Sequence, residues 1–129
     1  MALRPDDQSV LDELGLEYDI STDGSFLTVV IVSFPLPVGL EPRSSDLLLR
    51  LPPGFPDVAP DMFWLDPAVK GSGGSPVPGT ESIEQHLSGR MWQRWSRHIA
   101  GQWRPGIDNL GTYLAYIRRC LDHASGRAA

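Results

Sequence analysis

The apolar positions change period several times along the chain. From Asp6 to Leu14, Val10, Leu11 and Leu14 recur at helical spacing behind acidic first-turn residues, and Gly15 supplies a stop, which predicts a short N-terminal helix. Leu16, Tyr18 and Ile20 then alternate with polar residues as far as Ser21. The turn signal Thr22-Asp23-Gly24 follows, and after it the β-branched and aromatic run Ser25–Phe34, so a hairpin is predicted. Asp46–Leu51 and Met62–Leu65 are two further runs of strand length, the last apolar throughout and therefore expected to be covered on both faces.

Between these runs the chain is heavily punctuated. Pro35, Pro37 and Pro42 interrupt one connection, and Pro52 to Pro60 lacks so many amide donors that an extended, stiff loop is expected. Asp66–Gly79, with its glycines and prolines, has no period, and a helical segment is expected over Glu81–Leu87. After Trp103-Arg104-Pro105 a closing helix is expected from Gly106, in which Ile107, Leu110, Leu114, Ile117 and Leu121 repeat at three and four residues. The expected organisation is one domain over 1–124 with a short tail at 125–129.

Composition narrows the function classes. A length of 129 residues suits one core, and 41% hydrophobic with 21% charged residues is ordinary for a globular protein. A net charge of −5 opposes the positive potential that nucleic-acid binding needs. With no leader-like N-terminus and no apolar run of the ~20 residues a membrane span requires, a cytoplasmic, membrane-free protein is expected. Cys120 is the only cysteine, which rules out an internal disulfide or a CxxC site. His86, His98 and His123 are too scattered for zinc, and Asp57, Asp61 and Asp66 match no recognised metal loop. Gly71-Ser72-Gly73-Gly74 lacks the flanking pattern of a phosphate loop and reads as a flexible flap. No metal and no cofactor are expected.

The order of parts is itself a signature. An N-terminal helix, four meandering strands, a proline-rich loop before the last strand, a long irregular segment, a Trp-x-Pro and a closing helix resemble the α+β ubiquitin-conjugating (UBC) fold. Phe55-Pro56 and Pro60 stand where that superfamily has a tyrosine-proline pair and a later proline, Trp64 takes the place of its later aromatic, and Trp103-Arg104-Pro105 matches its Trp-Ser-Pro. In detail the chain is most similar to the divergent bacterial branch called prokaryotic family E, where a segment like Trp95-Ser96-Arg97-His98 precedes the Trp-x-Pro. The resemblance implies a transferase-like carrier in a bacterial ubiquitin-like conjugation pathway of the kind used in antiviral defence. Its implied partners are a ubiquitin-like protein, a ubiquitin-activating-like enzyme and a JAB-type peptidase.

One departure from the family pattern dominates the chemistry. The nucleophilic cysteine of the superfamily lies eight residues before the tryptophan of Trp-x-Pro, and Trp95 holds that place. The chain's only asparagine, Asn109, is expected within the closing helix, so no upstream amide can help to stabilise an oxyanion. Ser96 is then the candidate nucleophile, forming an oxyester, with His98 or His86 as its base; in an extended segment residues 96 and 98 share a side. The competing reading makes Ser96 a surface or capping hydroxyl and His98 a partly buried side chain bonded to backbone, in a protein that binds ubiquitin-like partners without catalysis.

The remaining chemistry-bearing residues have two readings each. Cys120, in line with Tyr113 and Tyr116, is expected to be buried beside the apolar stripe. Trp103 is expected to pack on the closing helix, while Trp92 and Trp95 could be core or binding rings. Arg90, Arg94, Arg97 and Arg104 make the segment basic, either as a patch for a carboxylate-bearing partner or as a solvated face.

Overall fold

The structure, a computed structural model, describes residues 2–126. Helix α1 (Pro5–Glu13) leads into strands β1 (Tyr18–Asp23), β2 (Phe26–Pro35), β3 (Leu40–Glu41), β4 (Ser44–Leu51), β5 (Phe63–Asp66) and β6 (Lys70–Gly71). Strands β7 (Ile83–His86) and β8 (Arg90–Trp95) follow, and helix α2 (Leu110–Ala124) closes the chain, with 3-10 turns at Ser72–Gly74 and Ala100–Gln102. Of the expected tail, residues 127–129 lie outside the described residues.

Strands β1, β2, β4 and β5 form the expected meander, and the β7–β8 hairpin extends it to a six-stranded antiparallel sheet ordered β1-β2-β4-β5-β8-β7. Period-two alternation sends Val29, Ile31, Leu47, Leu49, Leu51, Phe63, Leu65 and Trp95 to one face. There they are buried under Leu11 of α1 and Leu110, Leu114, Ile117 and Leu121 of α2. The outer face has its own cluster of Val30, Leu48, Trp64 and Trp92, against which Met62 and Leu87 pack. Burial on both faces explains the consecutive apolar residues Leu47-Leu48-Leu49 of β4 and Phe63-Trp64-Leu65 of β5.

Three expectations need correction. Glu81–Leu87 is not helical: Ile83–His86 is strand β7, paired from Ile83↔Gln93 to His86↔Arg90. Seven residues are too few to nucleate a helix unaided, whereas the free edge of β8 offers a row of backbone partners. The loop from Pro52 to Pro60 is turned, not extended, since the Phe55, Asp57 and Val58 amides bond back to Pro52 and Gly54 carbonyls. Nor does the closing helix begin at Gly106. A turn closed by the Ile107 and Asp108 amides on the Arg104 carbonyl intervenes, Gly106 holds φ +81°, and Ile107 is 62% exposed.

What starts α2 is Asn109, which caps the helix from outside. Its side chain accepts from the Thr112 N–H at 3.1 Å while the Thr112 hydroxyl accepts from the Asn109 N–H at 2.9 Å. A second partner arrives from far away in sequence, because the buried Asp7 of α1 accepts from the Leu110 N–H. The first turns of the two helices are thereby tied together. Replacing Asn109 with Ala is expected to cost about 1 kcal/mol of stability in urea unfolding, with the cost confined to the cap.

Candidate active site

The site is built where β8 runs out beside β5. Trp95, the last residue of β8, is fully buried. Its ring stacks on Phe63 with centroids 5.5 Å apart, and its indole N–H donates to Gln93 Oε1. A ring so enclosed offers no partner a surface, and the same holds for fully buried Trp92. Gln93 also accepts from the Val69 N–H and donates to the Val69 carbonyl, so one amide side chain ties the long 66–79 segment to the sheet. With Lys70–Gly71 paired to Leu40–Glu41, the glycine-rich flap is anchored at its root.

Immediately after Trp95 the chain turns. The Arg97 N–H donates to the Trp95 carbonyl at 2.9 Å, closing a three-residue turn on Ser96, and the Ser96 N–H donates to the Gly79 carbonyl. The extended geometry that would have put Ser96 and His98 on one side therefore ends at Trp95. Ser96 is half-buried, and no hydrogen bond joins its hydroxyl to His98 or to any other group among the described residues.

His98 is exposed instead of partly buried, and its partner is a side chain instead of backbone. Its Nδ1 lies 2.6 Å from an oxygen of the Asp61 carboxylate, in hydrogen-bond contact, the two side chains being 61% and 56% exposed. The backbone beneath is stapled: the Met62 N–H donates to the Arg97 carbonyl at 3.1 Å, and the Met62 carbonyl accepts from the buried Tyr113 of α2. Met62 itself adopts φ +60°. Asp61 also reaches a cleft of about 370 Å³ floored by Phe26, Pro52, Met62 and Trp64.

The two sequence motifs meet behind this site. The Trp103 indole N–H donates to the Pro56 carbonyl at 2.9 Å, its ring lies 6.1 Å from Phe55, and it meets Tyr113 edge-on. Pro56 and Pro60 are buried, whereas Pro105 is exposed in the turn before α2 and does not open the helix.

The arginines do not form one patch. Arg90 clamps Asp46 and Asp66 at 2.7 Å each, Arg94 pairs with Glu84 at 2.7 Å, and Arg104 pairs with Asp108. Arg97 lies over the Trp95 ring, donates to the Pro78 and Ser96 carbonyls, and has no carboxylate partner among the described residues. His86 turns to Glu84 at 3.1 Å and meets the Trp64 ring edge-on, on the outer sheet face. Among the described residues no three His, Cys, Asp or Glu side chains come together as a metal-binding group, and no helix is long and apolar enough to cross a membrane.

Asp61 as the partner of His98 was invisible in the sequence, because 37 residues separate the two and no local pattern links them. Glu84 was missed for the same reason. It gathers hydrogen bonds from Trp64, His86 and Arg94. Burial pulls its carboxyl up, but those three hydrogen bonds and the Arg94 charge together hold it below the ordinary carboxylate range. A depressed folded-state value stabilises above the unfolded value of about 4.3 and is lost as pH falls through the folded one. Glu84→Gln should therefore lower stability by about 1–2 kcal/mol at neutral pH, a gap that closes below about pH 4 in urea titrations.

Cys120 is half-buried in α2, and burial pushes its thiol up despite the hydrogen bond from Tyr116 and the nearby Arg97 and Arg119. Iodoacetamide is expected to alkylate it more slowly than a free cysteine at neutral pH, as followed by mass spectrometry.

No curated protein and no solved structure matches the chain. A model of the family described as prokaryotic E2 family E matches residues 3–124. With an α+β, UBC-like fold and a match over nearly its whole length, the chain belongs to prokaryotic E2 family E.

Proposed function

We propose that this protein carries a ubiquitin-like protein in a bacterial conjugation pathway, accepting it from a ubiquitin-activating-like enzyme in the cytoplasm as an oxyester on Ser96. The observation that carries this reading is the pair formed by Asp61 and His98, two residues beyond a serine whose hydroxyl has no bonding partner among the described residues. In the transfer, Ser96 Oγ attacks the activated C-terminal carbonyl of the ubiquitin-like protein. A C–O bond forms, the bond to the activating enzyme's thiolate breaks, and the hydroxyl proton passes to His98 Nε2 and on to that thiolate. Asp61 lines a cleft that Ser96 and His98 do not line, and a narrow, extended tail is proposed to approach along it. Bonds between nucleophile and base are commonly long in a free enzyme and tighten when substrate arrives. Arg97, without a carboxylate partner, is the arginine of this segment best placed to meet an acidic partner. A JAB-type peptidase of the same pathway completes the expected set of partners.

A non-catalytic adaptor that binds the ubiquitin-like protein or its activating enzyme is the second reading. It is favoured by a specific observation: the Ser96 and Arg97 amides are both engaged with carbonyls and Asn109 is spent as a helix cap, so none of the three is free to stabilise an oxyanion. Reconstitution with the activating enzyme, the ubiquitin-like protein and ATP decides between them. A hydroxylamine-sensitive adduct that Ser96→Ala abolishes is expected; an adduct that survives in the variant, or none with the wild type, removes the serine ester.

A further inference from the structure

We infer that Asp61 is a positioning residue that fixes the tautomer and orientation of His98, leaving Nε2 as the acceptor of the proton released at Ser96. The inference rests on the reading of His98 as the base. An ionised carboxylate can only accept, so at 2.6 Å the proton between the pair belongs to His98 Nδ1, and a neutral ring then carries its lone pair on Nε2. The same carboxylate stabilises the imidazolium that forms when Nε2 takes a proton.

Surface pairs of this kind are worth little by themselves, because two mobile side chains must be frozen in water. This pair differs in what lies beneath it. The Met62–Arg97 backbone bond holds the residues next to Asp61 and His98 in register, and Tyr113 anchors the Met62 carbonyl from α2. Met62 keeps φ +60°, a conformation that a non-glycine residue adopts only when its surroundings impose it. The strand ends thus bring both side chains together before any substrate is bound. Asp61 makes no other side-chain hydrogen bond among the described residues, which leaves His98 as its one bonded partner. Glu84, His86 and Arg94 are occupied with one another on the outer face, and among the described residues none of them bonds to His98.

The test uses the full chain. Asp61→Ala is expected to slow formation of the hydroxylamine-sensitive adduct about 10- to 100-fold, Asp61→Glu to recover part of that loss, and Asp61→Ala to cost nothing further when His98 is already Ala. In the protein alone, long-range proton–nitrogen NMR should find His98 protonated on Nδ1, with the proton moving to Nε2 in Asp61→Ala. If the tautomer is unchanged in Asp61→Ala, or if the variant forms the adduct at the wild-type rate, the positioning role is overturned. If the tautomer moves as expected but the wild type forms no adduct, Asp61 still orients His98 and it is the serine-ester reading that falls.

Discussion

The pairing of β5 with β8 is the constraint on which the rest of the molecule depends. Three cross-strand pairs, Phe63↔Trp95, Trp64↔Arg94 and Leu65↔Gln93, join the meander to the second hairpin. They bury Trp95 against Phe63, and they continue past the last pair into the Met62–Arg97 bond. Ser96, His98 and Asp61 all sit within three residues of that junction. Were the hairpin absent, β5 would be an exposed, apolar edge, which is a hazard for aggregation as well as a loss of the site.

Large aromatic residues do the work of closure. Trp103 reaches back to the Phe55-Pro56 turn and sideways to Tyr113, so the proline-rich loop, the segment before α2 and α2 itself share one buried contact. Tyr113 then passes the constraint to Met62, directly beneath Asp61. Phe55, Pro56 and Trp103, motif residues recognisable in the sequence, therefore pack behind the site.

A serine nucleophile, as proposed, places other demands on a site than the cysteine that the resemblance to the superfamily implies. A thiol is partly ionised near neutrality, whereas a serine hydroxyl is not, so the burden shifts to the base and to whatever orients it. Trp95 is part of the core, and Ser96 at the turn is the first side chain beyond it that is not buried. The Asp61–His98 pair stands at the same turn, which is why a serine carrier is a coherent alternative to a dead site.

The sequence by itself determined the meander, both helices and the family. The 3.6-residue period of α2 and the apolar runs of β2, β4 and β5 follow from short-range burial patterns that any tertiary arrangement must respect. It misread Glu81–Leu87 and gave no element to Arg90–Trp95, because a hairpin whose second strand buries Trp92 on one face and Trp95 on the other shows no clean alternation. It misplaced the start of α2, since the decisive caps are Asn109 and the distant Asp7. Ser96, His98, Trp95 and the arginines were visible as residues, but their roles were not. Whether His98 faces Ser96 or Asp61, and whether Trp95 binds or packs, depends on contacts 30 or more residues apart in the chain. Such contacts are set by strand order and register, which only the folded structure decides.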